Sequence, residues 1–321
     1  MTTLGQTARV RVPDSSTEPP MFKKLAQATV IGALLAVTAG CNNDGAKSGA
    51  SAGSGADRPD EAILASARLA RQGDIAGLVE HLLPPAEFAR IKSEWNDRSS
   101  QPEISDEDRT RFAEAMAKLT APDAVDAIYA EIEPDLKQFD AQYKAQLPGM
   151  VAMGQGYLQG LVQQSNELSP AEKEQALAAV KSLGEWAQKT PFTDPTLVRK
   201  SLETLATTAR ALDIKTLDEA RALDFEHAAP KLGIAFNGLK QLLDGYGLSI
   251  DQALDSVTTE VVSNDGTHAK VRVSYSFLGA PLSTHTDMVK IDGRWYGKDT
   301  IDKIAERKAG GDVTAPKAGN G

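Results

Sequence analysis

From Pro59 to Leu254 apolar residues recur three and four positions apart, the period of one helix face, and residues that start helices stand between the runs. Ile63, Ala67 and Ala70 share one face of a first helix that Gly73 ends. A short second helix covers Asp74–Leu83, and Pro84–Pro85 closes it before a third over Ala86–Trp95. Ser105 caps a helix carrying Phe112, Met116 and Leu119; Asp123 starts another with Val125, Ile128, Ile132, Leu136 and Phe139. Met150–Leu161 reads as a separate helical run despite its glycines, with Gly156 and Gly160, four apart, allowing two helices to approach closely. Ser169-Pro170-Ala171-Glu172 is the clearest local signal: a hydroxyl cap, Pro at the first helical position and Glu placed to bond back. That helix runs to about Lys189. Asp194–Pro195 opens one to Leu212, and Thr216 with Glu219 and Ser249 with Gln252 form two further capping boxes. Over Phe225–Leu243 the residues Leu232, Phe236, Leu239 and Leu243 make an apolar stripe, with Pro230 near its start.

The period then changes. Val257–Val262, His268–Phe277, Leu282–Ile291 and Arg294–Gly297 are rich in Val, Thr, Tyr and Ile, and Asn264-Asp265-Gly266, Gly279-Ala280-Pro281 and Asp292-Gly293 separate them. In the second strand Val271, Val273, Tyr275 and Phe277 alternate with Lys270, Arg272, Ser274 and Ser276, so one face is apolar and the other polar. Arg272 is expected to pair with Asp287 across the hairpin. The fold class is therefore α+β: predominantly α-helical over residues 59–255, with a three- to four-stranded antiparallel meander over 256–304, covered on one face by helices. Residues 305–321 have no apolar period and read as a disordered tail.

Charge narrows the choice of partner. The chain has 35 Lys and Arg against 44 Asp and Glu, a net −9. Loss of residues 1–40 removes Arg9, Arg11, Lys23, Lys24, Asp14 and Glu18 and leaves 31 basic and 42 acidic residues, or −11. Such a balance excludes nucleic acid as an expected partner, since duplex binding needs clustered cations to replace counterions. With a single cysteine there is no internal disulfide framework.

That cysteine ends a distinctive segment. Met21–Cys41 reads MFKKLAQATVIGALLAVTAGC: Lys23 and Lys24 hold the amino end on the cytoplasmic side, and Leu25–Val37 forms an apolar helix too short for a permanent span. The segment resembles the signal peptide of bacterial lipoproteins, with Val37-Thr38-Ala39-Gly40-Cys41 in the place of the lipobox and Thr38 where that family usually carries Leu. The resemblance implies cleavage between Gly40 and Cys41 and acylation of Cys41, which anchors the chain to a membrane. It also implies sorting to the outer membrane, facing the periplasm, because Asn42 stands where an inner-membrane protein of that family carries Asp. Residues 1–20 carry Pro13, Pro19 and Pro20 ahead of the basic region and read as an extension upstream of a start at Met21. Residues 41–58 are a Gly/Ser/Ala tether, of which sixteen residues span roughly 20–25 Å. Gly49–Gly53 spells G-x-S-x-G, yet lies in low-complexity sequence without the strand that a nucleophile elbow needs.

Two short stretches carry a second resemblance. His268–Val273 followed by Met288–Tyr296, with its Asp292-Gly293-Arg294-Trp295 turn, and the helical Ala67–Leu83 segment are similar to the closing strands and opening helices of nuclear-transport-factor-2-like lipoprotein domains. That resemblance implies a curved sheet wrapped around a helix, and a pocket within it.

Candidate chemistry is sparse. His81, His227, His268 and His285 lack a second ligand at zinc spacing, and the registers expected for His268 and His285 do not oppose them. Asp106 and Asp108 lack the Gly and Glu of a calcium loop and suit a helix's first turn, while Glu131 and Glu133 suit a solvated face. No metal and no cofactor is expected. Trp95, Trp186 and Trp295 are the residues most suited to packing or to a ligand, and Trp295 with Tyr275 forms the candidate pocket lining. The sequence thus points to a non-enzymatic lipoprotein held to the membrane by its lipid, with an envelope protein as partner. A carrier with a pocket is the alternative, and an enzyme the third possibility. A cavity lined by Trp295 favours the carrier; a filled core with an exposed apolar patch favours the protein binder.

Overall fold

Helix starts are built as the sequence implies. The computed structural model describes residues 55–97, 103–166 and 168–311, all within the unit Val37–Gly321. The first helix, α1 (Pro59–Gln72), ends where Gly73 takes φ 73° and donates its N–H to Ala70 O. It is followed by α2 (Ile75–Leu82), α3 (Pro85–Asn96) and α4 (Asp106–Thr120), whose cap Ser105 accepts from the Asp108 N–H. The chain continues through α5 (Ala124–Gln164), α6 (Pro170–Lys189), α7 (Pro195–Leu212), α8 (Leu217–Ala222), α9 (Phe225–Gly245) and α10 (Ile250–Asp255). Ser169/Glu172 and Thr216/Glu219 form reciprocal capping boxes at α6 and α8. Ser249 Oγ accepts from the Gln252 N–H at the start of α10.

Four strands, β1 (Thr258–Asn264), β2 (His268–Phe277), β3 (Ala280–Ile291) and β4 (Arg294–Gly297), pair antiparallel in sequence order, and α11 (Lys298–Gly311) follows. The fold is thus α+β and mostly helical, with a C-terminal meander. Val271, Val273 and Tyr275 of β2 are buried with Met288 and Trp295, and α1 lies against β1, β2 and β4 through a face that buries Ala62, Ile63, Ala67 and Ala70. Ala67, Ala70, Leu78 and Leu254 join α1, α2 and α10 in one apolar cluster. A second cluster, Tyr129 with Val198 and Leu202, packs the first half of α5 on α7. Strand β4 pairs only with Met288–Ile291, which leaves the rest of β3 as an edge. Helix α6 covers that edge: Gln175 Oε1 accepts the Ser283 N–H at 2.5 Å.

Four local expectations are corrected. Asp123 does precede the helix expected there, but Met150 begins no separate one; α5 is one helix of 41 residues that runs from Ala124 through Pro134 and Pro148 to Gln164. Each proline forfeits one hydrogen bond, and the apolar contacts of the first half with α7 and of the second half with α6 hold the helix across both. Gly156 and Gly160 mediate no close approach, since a Cβ on either would meet nothing within 4 Å. The close α5–α6 contact falls instead at Gly184, where a Cβ would lie 2.0 Å from Gln155 Nε2. Arg272 pairs with Glu260 at 2.7 Å, while Asp287 faces Lys270 at 3.5 Å, because the register sets Arg272 opposite Glu260 and His285 and Lys270 opposite Asp287. Finally, α11 continues to Gly311, beyond residue 305 where the tail was expected. Its end is held by charge: the buried Glu87 carboxylate on α3 pairs with Arg90 and with Arg307, and with Lys308 at 3.6 Å. Residues 1–20, the signal segment Met21–Cys41 with its Gly40–Cys41 junction, the tether up to residue 54 and the tail from residue 312 lie outside the described residues.

Candidate functional site

Trp295 and Tyr275, the candidate pocket residues, are brought onto one face of the sheet but not to one place. The register sets Tyr275 opposite Leu282 and Trp295 opposite Lys290. Eight residues along β3 separate the two positions by about 27 Å at about 3.4 Å per residue. Trp295 is 2% exposed and Tyr275 6%, and burial raises the Tyr275 phenol well above its usual pKa. The Trp295 backbone N–H donates to Ala56 O at 2.9 Å, so the chain just before α1 closes over β4, and Lys290 Nζ stands 5.7 Å from the indole centre. Both side chains are core packing.

Two clefts lie at opposite ends of the sheet, and neither is lined by these residues. One, of about 440 Å³, lies between the α9–α10 connection and the β2–β3 turn, where Leu278 (φ 49°) and Gly279 (φ 79°) reverse the chain. The other, of about 450 Å³, lies under the β1–β2 turn among Asp265, His268, Lys270, Asp287 and Lys298. Its charges are mutually compensated. Asp265 accepts from the His268 N–H at 2.7 Å and from the Thr267 N–H and hydroxyl, each at 2.8 Å, which draws its carboxyl down to about 2. Lys270 faces Asp287, and Lys298 pairs with Asp302, which raises its ammonium. His268 opposes Val289 and His285 opposes Arg272, so the two histidines do not meet. Among the described residues no cluster of three or more His, Cys, Asp and Glu side chains could hold a metal ion.

The remaining tryptophans are structural. Trp95 donates its indole N–H to Leu223 O at 3.1 Å and meets Phe225 edge-on, joining α3 to the start of α9. Trp186 donates to Tyr246 O at 2.7 Å and stacks edge-on with Phe192.

The apolar stripe read in α9 faces outward rather than inward. Leu232 and Leu239 are 46% and 49% exposed, with Phe236 half-buried between them. The buried sides of α9 are its small residues. A Cβ on Gly233 would lie 2.4 Å from Gly73 O at the end of α1, and one on Gly238 would lie 2.3 Å from Thr208 Oγ1 on α7. Lys240, also buried, donates to Arg71 O at 2.5 Å and to Asp251 at 2.7 Å, tying α9 to the carboxyl end of α1. Packed at its glycines against the α1–α2 junction and α7, α9 leaves Leu232 and Leu239 turned to solvent. The sequence signal for this was present in Gly233 and Gly238, which lie off the Leu stripe on either side. A second exposed set, Met150, Met153, Tyr157 and Leu161, lies on the second half of α5.

No helix among the described residues is long and apolar enough to cross a membrane. No family model, no characterised protein and no solved structure matches this chain.

Proposed function

We propose that this chain is a lipid-anchored binding protein of the bacterial cell envelope, without catalytic turnover, in which Cys41 carries the lipid and the helical body engages another protein at the outer membrane. The observation that favours a protein binder is the outward stripe of α9. Leu232 and Leu239, flanking Phe236, offer apolar surface with fixed spacing, whereas Trp295 and Tyr275 are spent in the core. Anchoring rests on the charged start, apolar run and Gly40–Cys41 junction of the sequence.

The test places a photo-crosslinking amino acid at Leu239 in the full chain, with Lys181, 76% exposed on α6, as the control position, in bacterial cells. Mass spectrometry reads the two halves of the proposal separately. Cys41 is expected to carry an acyl-modified mass that the Cys41→Ala variant lacks, and Leu239 to give one discrete protein adduct that Lys181 does not. An unmodified Cys41 overturns the anchor; equal labelling at both positions, or none at Leu239, overturns the binding face.

A further inference from the structure

We infer that the second half of α5 is a self-association face that pairs with the same face of a second copy of this chain. The inference does not depend on the lipid anchor or on the α9 face. Helix α5 is about 60 Å long at about 1.5 Å per residue. Among the described residues its second half is covered from one side only. Val151, Gln155, Leu158 and Val162, spaced by four, three and four residues, are half-buried, and Gln155 Nε2 donates to Val180 O of α6 at 3.3 Å. The other side exposes Met150 (51%), Met153 (74%), Tyr157 (63%) and Leu161 (46%), also at helical spacing.

Three observations point to a second copy. The first is charge. A quarter of the residues are charged and the chain carries a net −9, yet residues 145–166 are 22 consecutive uncharged residues, the longest such run in the sequence. Two acidic copies repel over most of their surface, and this face lets them meet without bringing like charges together. An anionic lipid surface would find no cation within residues 145–166 to hold it, and the neighbouring Lys173 ammonium is engaged by Gln163 O at 2.8 Å.

The second is shape. Gly149, Gly154, Gly156 and Gly160 lie among the exposed side chains, and a Cβ on any of them would meet nothing within 4 Å. Each lowers helix stability relative to Ala, and no contact among the described residues requires the missing side chain. Projected at about 100° per residue, Met153, Gly156, Tyr157 and Gly160 share a sector about 100° wide. Knobs and holes therefore alternate on one surface, which is the requirement for a two-fold interface in which each copy presents the same patch. The third is area. At the exposures above, the four large side chains offer about 500 Å² per copy, so a pair covers about 1,000 Å², the lower limit for a specific contact. The dimer is accordingly weak, with a Kd in the micromolar range.

The test is sedimentation equilibrium between about 1 and 100 µM on the chain from residue 42, which retains every described residue and carries no lipid. The wild type is expected to approach twice its monomer mass. Gly156→Leu fills a hole that is empty in the monomer, so it should leave the circular dichroism spectrum unchanged while raising Kd at least tenfold. Met153→Cys, in a chain from which Cys41 is absent, should form a disulfide-linked dimer under mild oxidation, whereas Glu203→Cys on α7 should not. A wild type that stays monomeric at 100 µM overturns the inference, as does a Gly156→Leu variant that associates as tightly as wild type. A monomer that floats with neutral phosphatidylcholine vesicles through Met153 and Tyr157 also overturns it, assigning the face to lipid.

Discussion

Gly233 and Gly154 are both helical glycines, and the structure gives them opposite responses to the same substitution. A Cβ at Gly233 would stand 2.4 Å from the Gly73 carbonyl oxygen, so about 1 Å of separation must open before ordinary contact is restored. Gly73 cannot yield readily: it ends α1 at φ 73°, and the Asn237 side chain packs over it. Helix α9 must move instead, lengthening the bond from Lys240 Nζ to Arg71 O, now 2.5 Å, and that from Asn237 to Gln72 O, now 3.4 Å. Overpacking of this kind costs about 1–3 kcal/mol, and weakening two polar contacts adds about 1 kcal/mol. The gain in helix propensity from Gly to Ala returns only about 1 kcal/mol. Gly233→Ala should therefore destabilise by about 2 kcal/mol, lowering Tm by about 4–8 °C for a body of this size. Gly154→Ala meets nothing within 4 Å and should stabilise by about 0.5–1 kcal/mol. Thermal unfolding followed by circular dichroism at about 0.1 µM, below the micromolar Kd of the pair, measures both. A Gly233→Ala protein as stable as wild type, or a Gly154→Ala protein less stable, refutes the packing argument.

Further predictions concern the ionic and polar ties. Burial alone would raise the Glu87 carboxyl, but the Arg90 hydrogen bond and the charges of Arg90, Arg307 and Lys308 outweigh it and hold it below its usual value. A carboxyl lowered in the folded state stabilises fully above about pH 4.5 and loses that contribution as pH falls through its folded value. Protection of the α11 amides, taken relative to their intrinsic exchange rate at each pH, should therefore fall on acidification, and Glu87→Gln should reproduce this at pH 7 with a loss of about 1–2 kcal/mol, the cations being partly solvated; unchanged α11 protection in the variant would count against the clamp. The Asp265 carboxyl should titrate near 2 by carbon-detected NMR, so its hold on the β1–β2 turn persists from neutral pH to below the ordinary 3.8 and is lost on approach to 2. A midpoint at 3.8 sinks that assignment. Lys240→Met should lower the urea-unfolding free energy by about 2–3 kcal/mol, since Arg71 O and Asp251 both lose a buried donor; a change below about 0.5 kcal/mol would contradict it.

Local signals were legible wherever the deciding contacts are close in sequence. Ser169 and Glu172 satisfy each other across three residues, and the Val271, Val273, Tyr275 alternation is enforced by the pleat itself. Long-range choices were not. Continuity of α5 through Pro134 and Pro148 depends on α6 and α7, which no window along α5 contains. The end of α11 has no apolar period after Ile304 because charge, not burial, holds it, and the carboxylate responsible lies 220 residues earlier. The preference of Arg272 for Glu260 over Asp287 needed the register of three strands at once. Trp295 and Tyr275 were found as important residues, but their depth and separation follow from β4 and from the Ala56 contact, neither visible in composition.

Reading an apolar stripe as a core face assumes that the large residues of a helix go inside, and α9 shows when that fails. A helix that approaches its neighbours at short distance must bury small residues at the contact points, Gly233 at the α1–α2 junction and Gly238 towards α7, and Leu232 and Leu239 are left on the remaining side. In α9 the glycines explain the exposed leucines. In α5 the reasoning runs the other way. A Cβ on Gly149, Gly154, Gly156 or Gly160 would meet none of the described residues, so close packing among these explains neither the glycines nor the exposed Met150, Met153, Tyr157 and Leu161 beside them. Small residues that weaken a helix, and large apolar ones exposed next to them, are both accounted for if the contact line lies between molecules. The two faces also differ in what a substitution should do: filling a glycine of α9 disrupts the monomer, whereas filling one of α5 spares the monomer and disrupts the pair.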